Sequence, residues 1–226
     1  IKGHTVGNLM MIAMTDILGS ESEAIEMFSN MFGIKGKVIP VTLEKARLVA
    51  EYDDGSVVEG EHYIDEPEED KNIKKIFLRP NVKTSEDAIS AIKNSQYIIL
   101  GPRDLYTTTL ANIAVDNMKE AMQQSRAKIV YISNLMTKKG QTRRKTQKEC
   151  LEILEKYIGR KVDFVVINNG RIPQEAYKRY LADGESLMKD DIEDTPERVE
   201  IRADLVAIKP IKRDKGDDLV RSLVRH

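Results

Sequence analysis

Three short apolar runs, Tyr97–Leu100, Lys128–Ile132 and Val162–Ile167, alternate with helix-length stretches at about 107–123 and 146–158. Strands without polar alternation are buried on both faces, and strand–helix–strand alternation forces parallel pairing through crossovers. The pattern therefore predicts an α/β fold with a mostly parallel sheet covered by helices on both sides. A strand at Ile76–Leu78 and a helix beginning near Ser85 are expected to join the same alternation.

Upstream, Val6, Leu9, Met10, Ala13, Met14 and Ile17 recur on one helical face from Thr5 to Ile17, and Gly19 stops that helix. Ser20 with Glu23 three residues later marks the start of a second helix carrying Ile25, Phe28 and Phe32. The β-branched stretch Lys37–Thr42 reads as a strand. Leu48–Tyr52, the turn Asp53-Asp54-Gly55 and Val57-Val58 read as a hairpin excursion at about 45–60. The acidic stretch Glu61–Asn72, containing Pro67, reads as a solvated loop. With 226 residues, one domain over 1–226 is expected. Because Ile1 falls in the approach to a helix, the chain is read as part of a longer polypeptide.

The 36 basic and 37 acidic residues nearly cancel, so no global field draws the chain to nucleic acid or an anionic membrane. Any anion must be held by a local site. The single cysteine, Cys150, shares a helical face with Leu154 and Tyr157 and is expected to pack as a buried thiol. No apolar run is long enough to span a bilayer and no signal-peptide pattern opens the chain, which suggests a cytoplasmic protein.

In an open parallel sheet, ligands bind beyond the carboxyl ends of the strands, where the strand-to-helix turns gather. Three consecutive strands end in Gly101–Thr109, Asn134–Thr142 and Asn168–Pro173, and all three turns are expected on one rim. Gly101 and Gly140 permit close backbone approach, Thr107 to Thr109 put hydroxyls and N–H groups at a helix start, and Asn134 and Asn168 offer paired donors and acceptors. Such a rim suits a polar, phosphorylated ligand. The basic run from Lys138 to Lys148 reads mostly as a solvated face, although Lys138 or Lys139 could screen a diphosphate. His4, His62 and His226 are dispersed, so no zinc site is expected. Walker A, Gly-x-Gly-x-x-Gly and Gly-x-Ser-x-Gly patterns are missing. Asp16, Asp104 and Asp183 are possible general bases, but such carboxylates more often serve as caps or solvated charges.

Several motifs resemble the YvcK/CofD-like family in order and spacing. They are Gly3-His4-x-x-Gly7-Asn8-Leu9, Thr15–Gly19, Gly33-Ile34-x-Gly36-x-Val38-Ile39-Pro40, Leu100-Gly101-Pro102, Leu105-Tyr106-Thr107 and Asn134-Leu135-Met136-Thr137. The resemblance implies a three-layer, Rossmann-like fold whose Gly-rich first strand–helix unit lies upstream of Ile1. It also implies one of two activities. One branch binds uridine-diphosphate sugars such as UDP-N-acetylglucosamine and influences carbon metabolism, peptidoglycan synthesis and cell shape. The other transfers a phospholactyl group to a deazaflavin, with Mg2+.

The loop Arg103-Asp104-Leu105-Tyr106 is more similar to the binding branch, because the transferase branch usually places Asn-Pro after Gly-Pro. Arg103 and Asp104 nevertheless stand where Gly-Ser is usual, and Lys139 and Gln141 where Pro and Glu are common. By resemblance the ligand-binding set is Asn8, Gly101, Pro102, Leu105, Tyr106, Thr107, Asn134, Met136, Thr137, Tyr180 and Arg225, with Tyr180 stacking on the base and Arg225 forking onto phosphate. The expected partner is a UDP-sugar or another nucleotide diphosphate, with no cofactor needed for binding and a homo-oligomer possible. A nicotinamide-dependent oxidoreductase ranks below both readings, since its fingerprint is missing.

Overall fold

A computed structural model describes residues 6–206, together with the backbone of 210–211 and 219–220. Helix α1 (Val6–Leu18) and helix α2 (Glu21–Met31) pack against each other, and the Ser20 side chain caps α2 by accepting the Glu23 N–H at 3.3 Å. Strand β1 (Arg47–Tyr52) pairs antiparallel with β2 (Val57–Glu59) through the expected hairpin. Its other edge pairs antiparallel with β3 (Ile73–Arg79). The run around Ile76 therefore belongs to a three-stranded antiparallel sheet, and the parallel alternation begins only after it.

The parallel sheet has the order β4 (Tyr97–Leu100), β5 (Lys128–Ile132), β6 (Phe164–Asn168), β7 (Val199–Ala203). Strand β7 was missed in the sequence because Glu200 and Arg202 interrupt its apolar pattern. Helices α4 (Glu86–Asn94), α6 (Met118–Gln124) and α7 (Gln147–Ile158) pack side by side in the order α4, α6, α7. Thr146 and Glu149 form a reciprocal capping box at the start of α7, and Gly159 ends it at φ +73°.

The helical stretch expected at 107–123 is broken into three pieces. A π-helix (Leu105–Leu110) runs into a short α5 (Ala111–Ile113), and Asn117, at φ 68°, separates these from α6. The break has a local cause: Asp116 exchanges backbone hydrogen bonds with Val82 and Thr84, so the passing chain replaces helical partners. Lys37–Thr42 is likewise no strand, because its Pro40 and Val41 carbonyls accept from the Ser85 hydroxyl and N–H at the start of α4.

One continuous core joins the two sheets. Ile129, Tyr131, Val165 and Ile167 on the parallel sheet cluster with Cys150, Leu154 and Ile158 of α7 and with Ile73 and Ile76 of β3. Polar ties cross the same layer. The Tyr157 hydroxyl accepts the Ile76 N–H at 2.8 Å and donates to the Ile76 carbonyl at 3.2 Å, while the Tyr106 hydroxyl donates to the Ile73 carbonyl at 3.3 Å.

Cover on both faces of the parallel sheet, as expected, is found for one face among the described residues. On the other face Tyr97 and Ile99 remain 59% and 63% exposed, with Val199 and Ile201 also outward. No helix among the described residues is long and apolar enough to cross a membrane.

Candidate functional site

Each of the three turns is shaped by its own sequence. After β4, Gly101 sits at φ +82°, and a Cβ there would meet the Ile132 carbonyl oxygen at 2.7 Å. Glycine is needed for the chain to leave the sheet against its neighbour strand. After β5, the Asn134 side chain donates to the Arg103 carbonyl at 2.9 Å and fastens the first turn to the second. The second turn closes on itself, since the Thr142 hydroxyl accepts the Lys138 N–H at 2.9 Å. After β6, Asn168 donates to the Gly170 carbonyl and accepts the Leu205 N–H.

The N-terminal end of the π-helix is sealed from within. Gln141 Oε1 accepts the N–H groups of Tyr106 at 3.1 Å and Thr107 at 3.4 Å. Its Nε2 donates to Asp65 Oδ1 at 2.8 Å and to the Thr107 hydroxyl at 3.0 Å. A neutral side-chain amide thus occupies the place where a helix start would otherwise present donors to an anion. Leu105, Tyr106 and Thr107 are buried behind it.

The partner of this seal comes from the acidic stretch 61–72, which is folded and docked. It contains helix α3 (Glu61–Asp65); Asp65 pairs with Lys138 at 3.5 Å and Asp70 with Arg143 at 2.7 Å, and Pro67 packs against Gly140.

In front of the seal, the three turns open into one cavity of about 860 Å³. Its apolar lining includes Ile132 and Val166 from the sheet with Leu135 and Ile172 from the turns, and helix α8 (Gln174–Ala182) contributes Ala176, Arg179 and Tyr180. The size falls within the range of small-molecule sites.

Of the expected ligand-binding residues, Pro102, Asn134, Met136, Thr137 and Tyr180 line this cavity. Thr137 is buried, and its hydroxyl already accepts the Ser186 N–H at 2.9 Å. Gly101, Leu105, Tyr106 and Thr107 stand behind the lining, Asn8, on α1, is not among the lining residues, and Arg225 falls outside the described residues. Asp104 and Asp183 reach the cavity, whereas Asp16 is on α1.

Sequence reasoning overlooked Arg179, Ser133 and Glu185, and treated Arg103 only as a departure from the family pattern. Ser133 is only 5% exposed; its hydroxyl lies beside the Tyr131 phenol without forming a well-aligned hydrogen bond. The signal for these residues was positional, because Arg103 and Ser133 follow strand ends, Arg179 sits on α8 and Glu185 lies just beyond that helix.

The charges inside are mixed. Burial opposes the positive charge of Lys138, but Asp65, Asp104 and Glu185 around it outweigh that effect and hold its pKa above the usual lysine value. Burial, together with Asp183 and Asp104, raises the Glu185 pKa, partly countered by Lys138. Cys150 lies deep in the core, where burial pushes its thiol up to about 12, so it is no nucleophile for this site. No group of three His, Cys, Asp or Glu among the described residues could hold a metal ion.

A cavity at the carboxyl ends of consecutive parallel strands, in an α/β chain, is the arrangement of the Rossmann-like class of architectures. The 2-phospho-L-lactate transferase CofD family model matches residues 1–207, and the chain belongs to that family. Its curated relatives include a putative gluconeogenesis factor of Thermotoga maritima, 37% identical over 85% of this chain and 60% of the relative. Another is the gluconeogenesis factor of Bacillus subtilis, 35% identical over 86% of this chain and 61% of the relative. A solved UPF0052-family protein from Bacillus halodurans superposes with a TM-score of 0.82 at 30% identity, covering 97% of this chain and 69% of that one. The chain therefore stands on the gluconeogenesis-factor side of the family and spans about 60% of the length of these curated relatives.

Proposed function

We propose that the cavity binds a nucleotide-diphosphate sugar of the UDP-N-acetylglucosamine type, and that the protein is a regulatory ligand-binding factor in carbon metabolism, cell-wall synthesis and cell shape. The observation that carries this reading is the convergence of three consecutive strand-end turns on one cavity of about 860 Å³. Tyr180, 37% exposed on α8, offers a ring for the uracil. Asn134 holds the lip in shape, and the apolar lining accommodates the faces of base and sugar.

Calorimetry of this chain with UDP-N-acetylglucosamine tests the reading. Saturable binding with the ligand recovered intact is expected, and Tyr180→Ala should weaken it about tenfold, the size of one lost base–aromatic stack. No heat at millimolar ligand, or recovery of cleaved ligand, would overturn it. The matching family model favours a second reading, a phospholactyl or related phosphoryl transferase. The Mg2+ such a transferase would use finds no three-ligand site among the described residues, so no step is assigned through it.

A further inference from the structure

Three cations line the cavity: Arg103 on the turn after β4, Lys138 on the turn after β5, and Arg179 on α8. They differ in what already holds them. Lys138 lies 3.5 Å from Asp65 and faces Asp104 and Glu185 as well, so its charge is offset before any ligand arrives. The guanidinium groups of Arg103 and Arg179 make no ion pair and no side-chain hydrogen bond among the described residues, although four carboxylates share the lining.

The backbone beneath each guanidinium is nevertheless fixed. The Arg103 carbonyl accepts from Asn134 at 2.9 Å, and the following Asp104 carbonyl accepts the Thr109 N–H at 2.9 Å. Arg179 lies within α8, where its carbonyl accepts the Asp183 N–H at 3.1 Å. Two planar, permanently charged forks from two different elements thus line the same cavity with their donors unspent.

We infer that Arg103 and Arg179 form a two-arginine clamp for the diphosphate of the ligand, and that Lys138 serves to hold the docked acidic arm instead. The inference rests on the proposed reading of the cavity and names the residues that select its anionic part. A diphosphate offers oxygens on two phosphorus centres and can engage two forks at once, whereas a monophosphate satisfies one fully.

The test uses inorganic pyrophosphate as the probe and calorimetry on the whole chain, with native folding of each variant checked by circular dichroism. Arg103→Ala and Arg179→Ala are each expected to weaken pyrophosphate binding at least tenfold. Arg103→Lys, which keeps the charge and loses the fork, should fall between parent and alanine variant. Arg171→Ala removes a neighbouring arginine that is outside the lining and should stay within twofold of the parent. The clamp is overturned if the parent does not bind pyrophosphate, if either lining variant binds within twofold of the parent, or if Arg171→Ala loses as much as they do. Failure of the nucleotide-sugar reading looks different: pyrophosphate binds through the two arginines, but UDP-N-acetylglucosamine binds no tighter than pyrophosphate.

Discussion

The two sides of the turn after β4 make opposite use of similar chemistry. On the inner side, the N–H groups of Tyr106 and Thr107 and the Thr107 hydroxyl are consumed by Gln141, whose other end reaches Asp65. On the outer side, three and four residues away in sequence, Arg103 leaves a charged fork unspent at the cavity lip. Donors sealed inside a fold contribute rigidity, because unmaking them strands buried polar groups. Donors left open at a mouth are available for a ligand. Changes on the inner side should therefore lower stability, and changes on the outer side should lower affinity.

The largest expected effect breaks the inner side. Gln141→Leu fills similar volume but orphans the two buried N–H groups of Tyr106 and Thr107 and leaves Asp65 Oδ1 only the Thr107 hydroxyl at 3.4 Å, a loss of about 2–4 kcal/mol. Urea denaturation measures it as a lower midpoint with unchanged slope. If stability is unaffected, the seal is decorative and the comparison collapses. A smaller effect is expected for Tyr157→Phe, which removes only the phenol bridging both backbone groups of Ile76. The loss should be about 1–2 kcal/mol. It should leave ligand affinity as it was, since Tyr157 is outside the lining.

This division explains how much the sequence could reveal. The runs at Tyr97, Lys128 and Val162 announced consecutive parallel strands because local β-branched and aliphatic content suffices, and the common rim followed from crossover geometry alone. Strand β3 misled because its neighbour in space, β1, is set by the hairpin and not by the alternation that follows. The stretch 61–72 misled for a related reason. Its acidic composition is that of a loop, and only the basic turn at 138–143, some seventy residues on, turns it into a docked arm.

Thr107 and Arg103 show the same limit at single residues. A threonine at a helix start is an attractive anion ligand until a distant glutamine claims it. An arginine on a turn is featureless until the fold places it in a cavity lining with no ion pair among the described residues.

The smallest expected effect sharpens the outer side. Burial and the carboxylates of Asp183 and Asp104 raise the Glu185 pKa, so the folded chain holds this proton more tightly than the unfolded chain does. The associated stability is fully present below the unfolded value and is lost as pH rises through the folded one. Glu185→Gln removes that loss. The variant should match the parent near pH 4 and be slightly more stable at neutral pH, by less than about 0.5 kcal/mol, because the half-buried carboxylate is screened. Taking a negative charge from the lining should at the same time tighten pyrophosphate binding at neutral pH, an effect that salt diminishes. Thermal melts and calorimetry between pH 4 and 7.5 read both quantities. A neutral-pH loss of stability in this variant would mean that Glu185 supports Lys138 more than it suffers from burial, which would move Glu185 to the inner, structural side of the divide.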